Sequence, residues 1–195
     1  MPKDHIILIV DDDKVFQLYI NKIITKAFEL KTHIVNNPKE AFEWLTQNEA
    51  SLITMDMEMP YMDGFTAIKK IRSVDSIKHI PIVACSRLAN TDLVVRLIKL
   101  KILDYIQKGS PAEVIVRKLS KALFNAGIIE EDKYKLPDEE IDPVEKEAIE
   151  IVNSEEADNE IDPGDVLDDS NIDIEEEVEK SNKQNPGKKK RNLNE

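Results

Sequence analysis

The sequence predicts an α/β fold in which five parallel strands form one sheet with helices on both faces. Within residues 1–125, five short apolar runs, most of them rich in Ile and Val, alternate with five amphipathic stretches. Continuous apolar runs are typical of strands that are covered on both faces. Their regular alternation with helical stretches favours βα units, whose strands lie parallel.

The elements follow from these runs and from helix start signals. Strands are predicted over 6–10, 33–35, 52–55, 82–85 and 105–107. Helices are predicted over 14–29, 38–47, 64–73, 91–101 and 111–124. Two of these helices are preceded by a cap residue followed by a proline, in the segments Asn37-Pro38-Lys39-Glu40 and Ser110-Pro111-Ala112-Glu113. That arrangement is a typical helix start.

The chain changes character after Phe124, where Asn125-Ala126-Gly127 indicates a helix stop. Residues 126–195 carry 24 Asp and Glu against 9 Lys and Arg, which more than accounts for the net charge of -12. Such a composition buries too little apolar surface to offset the entropy of ordering. We therefore expect a folded domain over 1–125 and a largely disordered acidic tail over 126–195. A candidate short helix near 143–152 is the exception, because Val144, Ala148 and Val152 recur every four residues.

Composition also excludes several classes of protein. The acidic balance does not suggest nucleic-acid binding, and no DNA-binding domain is visible after residue 125. The single cysteine, Cys85, excludes an internal disulfide, and its apolar neighbours predict a buried side chain. The apolar run at 6–10 is too short for a signal peptide core or a membrane span. We therefore expect a cytoplasmic protein with no membrane span.

Charged residues stand at the carboxyl ends of three predicted strands. Asp11 and Asp12 follow the first strand, Asp56 follows the third, and Lys108 follows the fifth. In an open parallel sheet these ends lie along one edge, which is where sites form. Carboxylates gathered there coexist if Mg²⁺ takes oxygen ligands from them and a lysine adds a compensating charge. A metal ion, a nucleophilic carboxylate and a lysine are the parts needed to accept a phosphoryl group.

Four segments, in this order and spacing, resemble the receiver domain of two-component response regulators over about residues 4–124. They are Val10-Asp11-Asp12, Met55-Asp56 through Asp63-Gly64, Pro81 to Ser86, and Tyr105-Ile106-Gln107-Lys108. The resemblance implies a doubly wound, flavodoxin-like (βα)5 fold. It further implies a single-domain response regulator that takes a phosphoryl group from a sensor histidine kinase or a histidine phosphotransfer protein. Such a protein catalyses its own phosphorylation and dephosphorylation without being a conventional enzyme.

The resemblance also implies a role for each residue of the pocket. Asp56 would be the phosphoryl acceptor and Lys108 would pair with the phosphoryl oxygens. Asp12 would bind Mg²⁺ directly, and Asp11 mainly through water. Asp56 and the backbone carbonyl of Glu58 would complete the metal ligands.

Two further residues would act as a switch. Ser86 would hydrogen-bond the phosphoryl group, and Tyr105 would change rotamer in step with it. This would alter the surface of helix 4, strand 5 and helix 5, which is the usual output face in the family. Signalling to a downstream protein partner would then proceed by contact through that face.

Arg87 and Glu58 depart from the family pattern. Arg87 stands where a small residue is usual, and Glu58 adds a carboxylate two residues after the acceptor. The Arg87 side chain could pair with Glu58 or with the phosphate, or restrict access, and both residues could change how quickly the phosphoryl group is lost. The alternative hypothesis is a non-phosphorylated receiver-like interaction module whose pocket they fill. A phosphatase or kinase ranks last, because the chain lacks a glycine-rich phosphate loop.

The predicted fourth helix has more apolar residues than one buried face needs. Leu93, Val95 and Ile98 are among them. One interpretation is that some are singly exposed, which is ordinary. The other is an apolar patch used for homodimerisation or for docking a partner. Both remain open at this point.

Overall fold

The computed structural model describes residues 5–88, 90–130 and 143–154. The strands in these ranges are β1 Ile6–Val10, β2 Lys31–Val35, β3 Leu52–Asp56, β4 Ile82–Ser86 and β5 Asp104–Gln107. The helices are α1 Lys14–Ala27, α2 Pro38–Leu45, α3 Gly64–Ser73, α4 Thr91–Lys99, α5 Ala112–Asn125 and α6 Pro143–Ser154. Strand and helix alternate from β1 to α5, which confirms the predicted α/β class.

The five strands form one parallel sheet in the order β2-β1-β3-β4-β5. The chain passes from β1 to β2 on one side and then crosses to β3 on the other side of β1. The carboxyl ends of β1 and β3 therefore lie at the point where the strand order reverses, which is where open α/β sheets form their sites. The register sets Val10 opposite Met55 and Asp56 opposite Cys85. The order confirms the doubly wound, flavodoxin-like fold.

Both faces of the sheet are covered, which explains why β1, β3 and β4 are mainly apolar and buried. The edge strand β2 is the exception, because it begins with Lys31, Thr32 and His33 and is only partly buried. Ile7 and Ile9 lie in a core with α1 and α5, whereas Leu8 and Val10 lie in a core with α2, α3 and α4. Successive residues of a strand point to opposite faces, so each strand contributes to both cores. Burial on this scale fixes the sheet and hence the positions of the strand ends.

Most of the described helices follow a residue whose side chain caps their first turn. Asp13 accepts hydrogen bonds from the first turn of α1, Asn37 does so for α2, Asp63 for α3 and Asn90 for α4. The predicted start of α5 is wrong by one residue. Pro111 is the cap residue there, it is extended, and Ser110 makes no capping hydrogen bond.

The fourth helix ends at Lys99, two residues before its predicted end. Lys101 adopts a left-handed φ of 54° in the turn that follows. The Arg72 guanidinium donates to the carbonyl oxygens of Leu100 and Lys101, at 3.1 Å in each case. A side chain from α3 thereby satisfies carbonyls that the helix end leaves without partners.

A helix is present where the tail was expected to contain a short one, and it packs on α4. Ala148 of α6 is fully buried, and Thr91 Oγ1 donates to Glu147 Oε2 at 2.9 Å. Neither interpretation of the apolar α4 residues, single exposure or a patch for dimerisation or a partner, includes a helix of the same chain that covers them.

Residues 126–130 of the predicted tail are described, and Ile129 is buried in the core with α1 and α5, so core packing continues beyond residue 125. The rest of the predicted tail apart from α6, 131–142 and 155–195, lies outside the described residues. Among the described helices, none combines the length and the apolar character that crossing a membrane requires.

Candidate functional site

The structure brings Asp11, Asp56 and Lys108 into one buried cluster at the carboxyl ends of the strands. Lys108 Nζ lies 2.8 Å from Asp11 Oδ2 and 2.7 Å from Asp56 Oδ2. The exposed fraction of each side chain is small, at 6% for Lys108, 3% for Asp11 and 1% for Asp56. The Lys108 backbone N–H also donates to the carbonyl of Ser86, so the turn after β5 is tied to β4.

The charges of this cluster perturb one another. Loss of hydration on burial raises the pKa of Asp56 to about 6, opposed by a hydrogen bond from Lys108 and reinforced by the charge of Asp11. Burial likewise raises the pKa of Asp11 above its usual range. For Lys108, burial alone would lower the pKa of the amine, but its bonds to both carboxylates outweigh burial and raise it. With both carboxylates ionised, the cluster carries one more buried negative charge than positive charge.

A third carboxylate completes a set of oxygen ligands. Asp12 is exposed, and it offers an oxygen that lies within 4.8 Å of oxygens from Asp11 and Asp56. Three carboxylates beside one ammonium leave negative charge that a divalent cation would balance. All three offer the hard oxygen ligands that Mg²⁺ prefers. The Asp cluster therefore fits a metal ion.

Three residues outside the ligand set support the pocket. Phe16 and Gln17 are not marked by the sequence, whereas Gly64 ends one of the four segments that resemble the receiver domain. The Phe16 ring centroid lies 4.9 Å from Lys108 Nζ, a distance typical of a cation–π contact. The buried Gln17 amide donates to the backbone carbonyl of Asp11. Gly64 lies so close to β3 that a Cβ on it would come within 2.1 Å of the Asp56 carbonyl oxygen. The positions of Phe16 and Gln17 in the sequence carry no signal for their contacts, which arise only when α1 packs on the sheet.

Glu58 reaches back to the end of β4. Its carboxylate lies 2.6 Å from the Ser86 hydroxyl and accepts the backbone N–H of Arg87 at 3.0 Å. The Arg87 guanidinium pairs instead with Asp13, at 3.2 Å. The pairing of Arg87 with Glu58, one of the interpretations above, therefore involves only the Arg87 backbone N–H. The sequence does not predict the contact between Glu58 and Ser86, because it joins the loop after β3 to the end of β4, 28 residues further along the chain.

Tyr105 is buried on the same face of the sheet as Ser86. It pairs with Ala84, two residues before Ser86 on β4, and its exposed fraction is 3%. Lys118 Nζ lies 4.6 Å from the centroid of the Tyr105 ring and 3.1 Å from Asp104 Oδ1. The ring therefore lies in the core that α2, α3 and α4 cover, with Lys118 of α5 over its face.

Comparison with known families agrees with this fold and pocket. The family model described as the response regulator receiver domain matches residues 7–120. The chain belongs to the response regulator receiver domain family. Members of this family act in two-component signalling, so the chain is expected to work with a kinase or a phosphotransfer protein.

Individual relatives support the same assignment. The chain is 33% identical over 120 residues to the chemotaxis protein CheY of Bacillus subtilis, a match that covers 61% of this chain and 98% of that protein. It is 33% identical over 115 residues to CheY of Thermotoga maritima, covering 59% and 94%. The solved structure of the Vibrio cholerae chemotaxis protein CheY4 matches with a TM-score of 0.56 at 19% identity, covering 61% of this chain and 98% of that one. This last likeness concerns the fold alone.

Proposed function

We propose that the chain is a response regulator in which Asp56 accepts a phosphoryl group from a phosphohistidine in a Mg²⁺-dependent reaction. The observation that carries the proposal is the position of Asp56, buried 2.7 Å from Lys108 and among oxygen ligands for a cation. The donor is a sensor histidine kinase or a histidine phosphotransfer protein. Output passes through protein contacts on the α4, β5 and α5 face.

The chemistry follows from the contacts of the Asp56 carboxylate. One of its oxygens attacks phosphorus, the P–N bond of the phosphohistidine breaks, and the electron pair of that bond returns to the imidazole. A pKa of about 6 leaves Asp56 ionised, and hence nucleophilic, at neutral pH. Lys108 moves little to pair with the incoming phosphoryl oxygens. Bound Mg²⁺ supplies positive charge that offsets the repulsion between two anions.

The proposal is tested by incubating the chain with acetyl phosphate and Mg²⁺ and measuring its intact mass. We expect the mass of one added phosphoryl group, which Asp56→Asn abolishes and which the exposed control Asp75→Asn retains. No added mass in the unmodified chain, or its persistence in Asp56→Asn, would show that Asp56 is not the acceptor.

Addition of Mg²⁺ is expected to stabilise the folded chain, because the cation offsets the buried negative charge. At a concentration about ten times its Kd, the gain is about 1.4 kcal/mol. Asp12→Asn removes a ligand at an exposed position and should abolish most of this gain while leaving the metal-free stability nearly unchanged. Thermal unfolding with and without Mg²⁺ measures both quantities. An unchanged response to Mg²⁺ in Asp12→Asn would remove Asp12 from the metal site.

Glu58→Ala is expected to lengthen the lifetime of the phosphoryl group by about 2–10-fold, the value of one hydrogen bond. The hydroxyl of Ser86 has one hydrogen, and two acceptors lie within reach of it, Glu58 Oε1 at 2.6 Å and the Leu88 carbonyl oxygen at 2.5 Å. While Glu58 accepts this hydrogen, the phosphoryl group cannot. Removing the charge of Glu58 also lowers the repulsion of the phosphoryl anion. Loss of added mass over time, after the phosphodonor is removed, measures this lifetime. Glu43→Ala is the control, since the Glu43 side chain is exposed on α2, and an equal effect there would contradict the role of Glu58.

The contacts of Glu58 also favour a second candidate, a receiver-like interaction module that is not phosphorylated. The Ser86 hydroxyl and the Arg87 N–H, which would donate to a phosphoryl group, are both occupied by the Glu58 carboxylate. In this case the pocket holds one conformation and the mass of the chain stays constant with acetyl phosphate. Restoration of phosphorylation in Glu58→Ala would then identify Glu58 as the block.

A further inference from the structure

One side of α4 is covered by a helix of the same chain. Thr91 bonds Glu147 of α6, and Val95 and Ile98 lie four and seven residues further along α4. Residues at this spacing share a side of a helix. Val95 and Ile98 are only partly buried, and they pack against the same core as Ala148. The side of α4 defined by Thr91, Val95 and Ile98 therefore faces α6, and we call it the α4 groove.

The helix α6 has the properties of a ligand for this groove. Ala148 is fully buried, and its small side chain lets the two helices approach closely. Val144, Ile151 and Val152 are partly buried on the same side, whereas Glu147 and Glu150 are exposed. The two helices also differ in the sign of their net charge, because α4 carries Arg96 and Lys99 against Asp92, whereas α6 carries three glutamates against one lysine.

We propose that the α4 groove is a helix-binding surface that α6 occupies within the same chain, and that a protein partner reaches it by displacing α6 with an amphipathic helix of its own. The partner helix offers what α6 offers, namely a small residue at the crossing point, apolar residues four positions to either side, and an acidic flank. Only one helix fits the groove at a time, so α6 competes with the partner. This deepens the proposed function and rests on it only for the link to phosphorylation.

That link runs through the segment between β4 and α4. The Leu88 N–H donates to the Ser86 hydroxyl at 3.1 Å, and Asn90 caps α4. The next residue is Thr91, which holds Glu147. A movement of Ser86 towards a phosphoryl group on Asp56 changes its hydrogen bond with the Leu88 N–H. The start of α4 then shifts, and the hydrogen bond between Thr91 and Glu147 is displaced. Phosphorylation is therefore expected to loosen α6.

The docking is tested by the reactivity of a thiol introduced at position 95 in the full chain. The native Cys85 stays silent, because it is fully buried and its burial raises the pKa of its thiol far above the usual range. We expect slow reaction of Val95→Cys with a maleimide, and a rate on the order of tenfold higher when Ala148→Asp is added, because reactivity follows the fraction of undocked chains. Ile149→Asp introduces the same charge at an exposed position of α6 and should leave the rate unchanged. Equal rates for Val95→Cys with and without Ala148→Asp would overturn the proposal.

The partner helix is tested with a synthetic peptide of residues 143–154. At millimolar concentration it is expected to protect the position-95 thiol of the Ala148→Asp chain, because a short isolated helix is only marginally formed and binds weakly. The same peptide carrying Ala148→Asp should not protect. Failure of the unmodified peptide would overturn the helix-binding surface. Two results together would assign α6 to a second copy and overturn occupancy within one chain. They are a protection of the Val95→Cys thiol that is lost on dilution, and a dimer in size-exclusion chromatography.

The link to phosphorylation has its own readout. Acetyl phosphate with Mg²⁺ should speed the reaction of the Val95→Cys thiol, and Asp56→Asn should abolish this change. If no phosphoryl mass is added, the proposed function fails, and the comparison without phosphodonor still decides the docking. If the mass is added and the thiol rate stays constant, phosphorylation does not release α6, although Asp56 remains the acceptor.

Discussion

Lys108→Met is expected to lower the free energy of unfolding by about 3–5 kcal/mol at neutral pH, the usual cost of breaking a buried ion pair by removing one partner. The lysine contacts both Asp11 and Asp56, and the two carboxylates are almost inaccessible to water. Without the ammonium they remain buried, close together and uncompensated. Urea unfolding in the absence of divalent cations measures this loss. Methionine retains most of the volume of the lysine stem, so the effect reports mainly on charge.

The loss should depend on pH in a defined direction. The pKa of Asp56 is about 6 in the folded chain, against an ordinary value of 3.8, so the folded state binds this proton more tightly than the unfolded state. The resulting contribution to stability is complete below pH 3.8 and is lost as the pH rises through about 6. Removing Lys108 raises this pKa further. The difference between the unmodified chain and Lys108→Met should therefore be largest above pH 6 and shrink on acidification.

Lys39→Met provides the matched control. Lys39 forms an exposed pair with Glu43 on α2, where an ion pair contributes about 1 kcal/mol or less. A cost of Lys108→Met that is no larger than this, or one that stays constant between pH 5 and 8, would contradict the account of the buried cluster.

Gly64→Ala is expected to cost about 3 kcal/mol, at the upper end of the range for overpacking. The added Cβ would lie 2.1 Å from the Asp56 carbonyl oxygen and 2.9 Å from the Met57 Cα, so backbone rather than a flexible side chain has to move. Because that backbone carries Asp56, phosphorylation by acetyl phosphate should also slow. Urea unfolding and the rate of mass increase measure the two effects.

Gly127→Ala is the control for replacing glycine as such. Gly127 has a left-handed φ of 67° and open space around it, so its replacement costs about 1 kcal/mol of backbone strain without a steric clash. It lies after α5, and phosphorylation should be unaffected. Equal losses in the free energy of unfolding for both substitutions would mean that the loop between β3 and α3 shifts at little cost. The close approach of Gly64 would then not constrain the site.

Much of the architecture follows from local pattern. The apolar runs and helix start signals suffice for the five βα units, because burial of both faces of a parallel sheet requires that pattern wherever the sheet forms. The edge location of Asp11, Asp56 and Lys108 follows from their place directly after predicted strands. The misplaced start of α5 shows the limit of this reasoning. Whether Ser110 caps a helix depends on how the turn after Lys108 is tied to β4.

What the sequence determined by itself was the fold class and the residues that meet at the sheet edge, since both depend on periodicity and on strand direction. Only the tertiary structure decided that Glu58 holds Ser86, that Arg87 pairs with Asp13, and that α6 covers α4. These contacts join segments far apart in the chain, and side chains of the same types would be compatible with several other partners. Packing selects among those partners, because the position of each loop and helix is set by the core on which it rests.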